Sequence, residues 1–374
     1  MRFTLSSTAL SSRLQALSKV INSKNSMPIL ECFLFEIKNK ELAITASDGE
    51  NVMKTVIALD DADSEGRFAV PSSTMLEAVR ELPEQPLNFE VDLNNNTIKI
   101  YYQNGIYNFT SQNAEEYPLT QTVDDSARTI VIDASLLSDN INRTIFATGQ
   151  DELRPVMNGI YFDLTSDGLA IVASDGHKLV RSINFNIKSE EPASFILPKK
   201  PAALLKNVLG RDGGDVTIRF NDRNVEVQFA EGVLNSRLIE GKYPNYSSVI
   251  PKNNPNKLSI DRKSFIGALR RVLPFASESS QQIRLTLEMG MLKLSSQDID
   301  FSTSAEEKLT CDYTGQNMSI GFKGSSLTEI LNNIESESID LLLADPSRAG
   351  IIVPTVQPEG QDVLMLIMPM LLND

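Results

Sequence analysis

A repeat with a period of about 125 residues constrains the fold of this chain more than any other feature of its sequence. The segment LAITASDG at residues 42–49 returns as LAIVASDG at 169–176 and, in reduced form, as LKLSSQD at 292–298. A second landmark, FAVP at 68–71, returns as FILP at 195–198 and as IGFK at 320–323. Both landmarks share one period, so the chain consists of three copies of one repeat. Solenoid repeats are roughly 20–50 residues long, so this longer period indicates whole domains with their own cores.

Each copy combines helical and strand patterns. Apolar residues recur at helical spacing near its start, as at Leu10, Leu14 and Leu17. Alternating or continuous apolar stretches typical of β-strands come next, for example at residues 33–37, 159–163 and 283–287. A second helix is predicted after each copy of the second landmark.

That second helix carries start signals of its own. Capping-box patterns stand at Thr74 with Glu77 and at Ser326 with Glu329, which predicts that the helix begins there. The central copy has Pro201, a good first helical residue, in place of the box.

The repeat and these patterns together predict an α+β fold of three tandem domains, each with two helices covering antiparallel sheet. The polar stretches at 120–128 and 251–257 have the composition of linkers. We therefore set the predicted domains at residues 1–122, 123–252 and 253–374.

The distribution of charge matters more than its total. A net charge of -14 and a pI near 4.7 ordinarily argue against binding to nucleic acid. The six predicted helices with their lead-ins nevertheless carry about +9, so the rest of the chain is strongly acidic. A basic helical surface of this kind suits contact with phosphates. The chain has no Trp, and its predicted helices carry few aromatic residues for base stacking, so contact with a nucleic-acid backbone of any sequence is expected.

Several classes of protein are disfavoured by composition. The longest apolar runs are too short for a bilayer span, and the first residues lack a signal-peptide layout, so we expect no membrane and a cytoplasmic location. Cys32 and Cys311 are far apart, without neighbouring metal ligands, and are expected to be buried hydrophobes.

Nothing in the sequence indicates catalysis. His177 is the only histidine and has no nucleophile or carboxylate at a motif spacing, so it is not expected to act as a catalyst. The repeated acids Asp48, Asp175 and Asp298 are interpreted as turn residues, although a hydrolase using them is the first alternative. The chain has no phosphate-binding loop, zinc spacing or nucleophile elbow, so no catalytic residue, metal or cofactor is predicted.

Three further motifs carry a family resemblance: SKNSMPIL at residues 23–30, ASDGHKL at 173–179 and IMPM at 367–370. With the three-fold repeat, they make the chain resemble the bacterial sliding clamps, the DNA polymerase III beta subunits, over essentially its whole length. The resemblance implies a non-catalytic, head-to-tail homodimer whose six domains close around duplex DNA and tether the replicative polymerase. It also implies docking of a clamp loader, repair factors and other proteins with a clamp-binding motif.

The resemblance assigns roles to individual positions. The residues it places against DNA are Lys24, Gln150, Lys199 and Lys200. Those it places at the ring interface are Tyr107 and Phe109 of one chain and Pro274 and Phe275 of the other. It implies a partner-peptide pocket formed by Met157, Ser174, Gly176, His177, Lys178, Leu179, Pro244, Val249, Leu366, Met368, Pro369 and Met370.

Two positions depart from the family pattern. Lys178 stands where many members have Arg, and Leu371 stands where a basic residue is common. A lysine keeps the charge but loses the planar fork of a guanidinium, so partner preference at this edge of the pocket is open. A ring-like scaffold for repair or cell-cycle proteins, without a processivity role, is the second alternative.

Overall fold

The computed structural model describes residues 1–22, 27–118, 122–210 and 213–372. Its helices are α1 (Ser7–Ser18), α2 (Ser72–Arg80), α3 (Ala134–Ile145), α4 (Lys199–Val208), α5 (Arg262–Val272) and α6 (Gly324–Asn332). None of these helices is long and apolar enough to cross a bilayer.

Each repeat contributes its own set of strands. The first contributes β1 (Arg2–Ser6), β2 (Cys32–Lys38), β3 (Glu41–Ser47), β4 (Asn51–Ala58), β5 (Asp61–Ala62), β6 (Gly66–Pro71), β7 (Pro86–Asp92), β8 (Thr97–Tyr102) and β9 (Gly105–Thr110). The central one contributes β10 (Arg128–Asp133), β11 (Gly159–Leu164), β12 (Leu169–Ser174), β13 (Lys178–Asn184), β14 (Ala193–Pro198), β15 (Asp215–Phe220), β16 (Asn224–Phe229) and β17 (Gly232–Arg237). The third contributes β18 (Asn256–Asp261), β19 (Gln282–Glu288), β20 (Met291–Asp298), β21 (Thr303–Thr310), β22 (Asp312–Thr314), β23 (Met318–Lys323), β24 (Ser338–Leu343), β25 (Gly350–Pro354) and β26 (Gln361–Ile367).

The predicted first helix of each repeat is confirmed, and the reason is local. In α1 the Ser6 hydroxyl accepts the N–H of Ala9, and Leu10, Leu14 and Leu17 are fully buried along one face. In α5 the Asp261 carboxylate caps the helix in the same way by accepting the N–H of Ser264. The α+β fold with three copies is confirmed as well.

The predicted start of the second helix is wrong in all three repeats. The helix α2 begins at Ser72 with Pro71 as its N-cap, and α6 begins at Gly324 after Lys323, each without a side-chain cap. The preceding strand runs directly into the helix, so Thr74 and Ser326 lie inside the first turn and not at the cap position. Pro201 is likewise the third residue of α4, where its missing N–H costs no helical hydrogen bond.

Contacts divide the chain into two compact units. The first comprises Met1–Ser138 and Lys200–Leu238, and the second comprises Asp139–Lys199 and Ile239–Asp374. Each unit therefore holds one terminal repeat and part of the central repeat. The three domain bounds drawn from the sequence remain a prediction about the repeats.

The first unit holds two sheets, with strand orders β5-β1-β7-β8-β9 and β10-β15-β16-β17-β4-β3-β2-β6. The second unit also holds two, with orders β14-β11-β12-β13-β26-β25-β24-β18-β22 and β21-β20-β19-β23. All pairings between neighbouring strands in these sheets are antiparallel.

Two pairings join strands of different repeats, and we call each such pairing a seam. In the first unit β4 pairs with β17, with Met53 opposite Leu234. In the second unit β13 pairs with β26, with Val180 opposite Met365. The third-repeat counterpart of β4 and β13 is β21, and the first-repeat counterpart of β17 and β26 is β9. Both β21 and β9 are edge strands of their sheets.

Candidate functional sites

The residues assigned to the partner-peptide pocket all belong to the second unit, and the seam between β13 and β26 forms its floor. Leu179 and Leu366 lie opposite each other across this seam and are almost completely buried. They belong to one apolar cluster with Tyr243, which precedes Pro244 in the chain. Val156, next to Met157, packs against the same cluster.

The rim of the pocket is more accessible than its floor. His177, Pro244 and Val249 are exposed, and Met368 is 42% exposed. The carbonyl oxygen of His177 accepts the N–H of Met368 at 2.8 Å, which fixes the start of the C-terminal tail beside the 175–178 turn. Accessible methionine and proline surface over an apolar floor suits an apolar peptide, because thioether side chains repack readily around different partners.

Lys178 is the charged centre beneath this rim. Its side chain is only 10% exposed, and its ammonium lies 2.7 Å from the Asp175 carboxylate and 3.3 Å from that of Glu329. Burial lowers the pKa of Lys178, but the two carboxylates outweigh it and hold the pKa above its usual value. Burial raises the pKa of Asp175, yet hydrogen bonds from Lys178 and the turn N–H groups leave it below its usual value. The lysine therefore stays charged and is held inside the protein.

Replacing Lys178 by Met is expected to lower the free energy of unfolding by about 3 kcal/mol at pH 7, because the largely buried Asp175 carboxylate, 21% exposed, loses its charged partner. A carboxyl with a depressed folded pKa contributes stability above its unfolded pKa, and that contribution is lost as the pH falls through the folded value. The difference between wild type and variant should therefore shrink as the pH falls below about 4. Urea unfolding at pH 7 and pH 3 measures both effects.

Lys188→Met removes an exposed lysine from the same unit and serves as the matched control, with an expected change within about 0.5 kcal/mol. Equal stability of the wild type and the Lys178 variant at pH 7 would contradict the structural role of the pair.

Arg154 and Glu329 also border this site, and the sequence analysis assigned neither of them to it. Gly176 has φ +90°, and a Cβ placed on it would lie 3.1 Å from a guanidinium nitrogen of Arg154. Arg154 is itself held by Asp151, with Nε donating to the carboxylate at 2.9 Å. The glycine thus serves the turn and also leaves room for an arginine at the pocket edge.

The C-terminal tail is attached to the edge of the four-stranded sheet. The N–H of Met370 donates to the Gly321 carbonyl at 2.8 Å, and Gln282 Nε2 donates to the Leu371 carbonyl at 2.8 Å. A Cβ on Gly321 would come within 2.8 Å of the Met370 carbonyl oxygen and of Leu372. Only glycine permits this approach, which holds Met368 and Met370 at the rim.

The repeated acids are turn residues, as predicted. Asp48 accepts the N–H groups of Glu50 and Asn51, and Asp175 accepts those of His177 and Lys178. In the third repeat Asp298 accepts those of Asp300 and Phe301. Within the described ranges, no group of three or more His, Cys, Asp or Glu side chains could hold a metal ion.

The residues assigned to DNA contact differ in their surroundings. Lys24 lies outside the described residues. Gln150 is exposed and Lys199 is half-buried. The Lys200 ammonium instead donates to the Val20 carbonyl at 2.7 Å and contacts Asp48 at 2.6 Å.

The Asp48 side chain is only 4% exposed, and it is the partner of Lys200 in an ion pair. The third ammonium N–H of Lys200 is directed to Asn22 Oδ1 at 2.5 Å. All three donors of the lysine are therefore used inside the first unit, and its role in DNA contact stays a prediction that this geometry does not favour.

The residues assigned to the ring interface lie on or beside the two edge strands. Tyr107 and Phe109 are half-buried on β9, and their rings lie 6.4 Å apart in an edge-to-face arrangement. Pro274 and Phe275 form a single turn, Leu273–Phe275, that follows α5 and packs against β20 and β21. Phe275 is 40% exposed.

Comparison with protein families gives three consecutive matches. Residues 1–121, 131–245 and 247–371 match the models described as the N-terminal, central and C-terminal domains of the DNA polymerase III beta subunit.

Proteins of known name agree with this result over the whole chain. The beta sliding clamp of Pseudomonas aeruginosa is 28% identical over 373 residues, which cover 99% of this chain and 100% of the relative. That of Caulobacter vibrioides is 27% identical over 376 residues, with 98% and 99% covered.

Solved structures give the same fold. The DnaN sliding clamp of Pseudomonas aeruginosa bound to griselimycin superposes with a TM-score of 0.93 at 26% identity, and 100% of both chains is covered. The DNA polymerase III beta subunit of Thermotoga maritima superposes with a TM-score of 0.90 at 27% identity, again over 100% of both chains.

Proposed function

The chain belongs to the DNA polymerase III beta subunit family, the bacterial sliding clamps, and from that premise we propose that two copies close into a ring around duplex DNA. As a member of this family it is a processivity subunit and not an enzyme. The ring tethers the replicative polymerase and receives the clamp loader and repair factors in turn. A protein with this function acts in the bacterial cytoplasm.

The observation that supports the ring is that β21 and β9, the counterparts of the seam strands, are both edge strands within the single chain. Two seams inside the chain are built in the same way, and the two strands that would form a third, β21 and β9, are edge strands. A strand edge is a template for pairing with another chain. A contact between different surfaces of two identical chains closes a ring when its rotation permits. We infer that β21 of each subunit pairs with β9 of the other.

The inner seams also predict the register of the outer one. Thr55 lies opposite Gly232 and Met53 opposite Leu234 in the first unit. Carried over by repeat position, Glu307 lies opposite Gly105 of the partner subunit, and Ala305 lies opposite Tyr107 of the partner subunit. This register brings the partner's β9 beside the turn of Pro274 and Phe275, as the family resemblance implies.

Closure around DNA reconciles an acidic chain with a DNA-bound function. A ring stays on the duplex because it is topologically linked, so it needs no tight affinity for phosphate and can slide. The basic helices provide weak contact with the backbone, without base readout.

Variants of Lys199 and Lys200 should distinguish a lysine that contacts DNA from one that stabilises the fold. Lys200→Met is expected to destabilise the first unit by about 3 kcal/mol, since buried Asp48 loses its charged partner. Lys199→Met is expected to leave stability within about 0.5 kcal/mol and to weaken loading onto nicked plasmid. The slope of log affinity against log salt should fall by about 2 for a ring that carries two copies.

Thermal unfolding and loading at several salt concentrations measure these two effects on the same preparations. An altered sequence preference in the Lys199 variant would contradict contact with phosphates. A Lys200 variant of unchanged stability would contradict the role of the ion pair.

The pocket is proposed as the docking site for the short apolar motifs of the polymerase and other partners. Its buried leucines, the exposed Met368 and the charged Lys178 support this proposal. Lys178 is already neutralised by Asp175 and Glu329, so we expect partner recognition there to depend on apolar fit more than on charge.

A further inference from the structure

The loop between β20 and β21 carries two exposed apolar side chains with no role in the site described above. Ile299 is 80% exposed and Phe301 is 79% exposed. Six residues separate the paired Gln297 and Ser304, whereas four separate the equivalent pairs at the ends of β3 and β4 and of β12 and β13, so this connection is two residues longer.

Those counterparts each end an inner seam. In the first unit the carbonyl oxygen of Glu50 accepts the N–H of Arg237, the last residue of β17, at 3.2 Å. In the second unit the carbonyl oxygen of His177 accepts the N–H of Met368, directly after β26, at 2.8 Å. The residue before the seam strand thus binds the residue that follows the last pair of the seam. The same position in the third repeat is Ser302.

We propose that residues 299–302 form a hook that seats on a second copy of this chain, at the end of its β9. The proposal rests on the ring proposed above and adds a contact to it. In the derived register Thr303 lies opposite Phe109 of the partner subunit. The carbonyl oxygen of Ser302 then accepts the N–H of Thr110 of the partner subunit. The hook covers the partner's segment after β9 and removes Ile299 and Phe301 from water.

This loop differs from other exposed apolar positions because its counterparts in the first two repeats end the inner seams. Isolated exposed apolar residues need no explanation. Met289 is 89% exposed in the turn between β19 and β20, at the opposite end of β20 from this loop. The counterparts of that turn bond within their own repeats, as where the Lys40 carbonyl accepts the N–H of Leu59. Met289 is therefore a matched control with similar exposure and no place in a seam.

The test compares Ile299→Ser/Phe301→Ser with Met289→Ser and wild type, by sedimentation across a dilution series. Burial of the two side chains predicts that each seam weakens at least about tenfold in the double variant. A ring has two identical seams, so the dissociation constant of the dimer should rise by about a hundredfold. The control should match wild type, and the melting temperatures of the three dissociated chains, measured at high dilution, should agree because every changed side chain is exposed in the single chain.

The outcomes separate the hook from the ring. A wild-type dimer with an unchanged dissociation constant in the double variant overturns the hook and leaves the ring standing. Equal weakening by Met289→Ser overturns the assignment of the effect to this loop. A wild-type chain that stays monomeric at every concentration overturns the ring and, with it, the hook.

Discussion

Glu306→Pro is expected to convert the dimer into a monomer at micromolar concentration. The N–H of Cys311 donates to Gly290 on the β20 side, and N–H groups alternate in direction along an antiparallel strand. The N–H of Glu306 therefore points outward, towards the proposed partner strand. Proline there keeps the bonds to β20 but blocks the seam, at a cost of roughly 2–3 kcal/mol per seam. Because the ring has two seams, the dissociation constant of the dimer should rise by about a thousandfold or more.

Glu306→Ala is the matched control. Like the proline variant, it loses the ion pair in which Lys293 Nζ lies 3.2 Å from Glu306 Oε2, but it keeps the backbone N–H. We expect it to remain a dimer and to support processive synthesis, since an exposed ion pair contributes little. Light scattering compares both masses with the 41.3 kDa chain. A Glu306→Pro protein that stays dimeric would show that β21 does not form the seam.

Removal of residues 368–372 is expected to abolish partner-peptide binding while the dimer persists. The tail supplies Met368 and Met370 to the pocket rim and is attached through Gly321 of β23, which is the opposite edge of that sheet from β21. Loss of two apolar side chains from a peptide contact should weaken binding by about a hundredfold or more. Fluorescence anisotropy with a labelled clamp-binding peptide of the cognate polymerase measures the affinity.

Val356→Ser changes another exposed apolar residue of the second unit and should bind the peptide as wild type does. Loss of the dimer in the truncated chain would contradict the placement of the tail. Unchanged peptide affinity would contradict its part in the pocket.

Local features of this chain were readable from its sequence. The helices at Leu10 to Leu17 and their counterparts follow from periodicity alone, and the turn role of Asp48 follows from Asp-Gly chemistry. The capping boxes misled because helix starts depend on where the preceding strand ends. Thr74 and Glu77 have the right spacing but lie inside the helix.

Features that depend on distant contacts could not be read in this way. Lys200 looked like a basic residue of a helical lining, but its partner Asp48 lies far away in sequence and leaves no local pattern. Glu329 reaches Lys178 from a different repeat. The seams could not be predicted for the same reason. Periodicity predicts that β4 and β17 are strands, but it does not predict that they pair.

Encirclement of DNA is the central claim, and linearising a loaded plasmid tests it most directly. The protein is loaded onto a nicked circular plasmid by its cognate clamp loader, freed of loader, and followed by gel filtration before and after a single restriction cut. We predict co-elution with the circle and release from the linear product, because a ring slides off a free end. Equal retention on circular and linear DNA would mean that the protein holds DNA by affinity and does not encircle it.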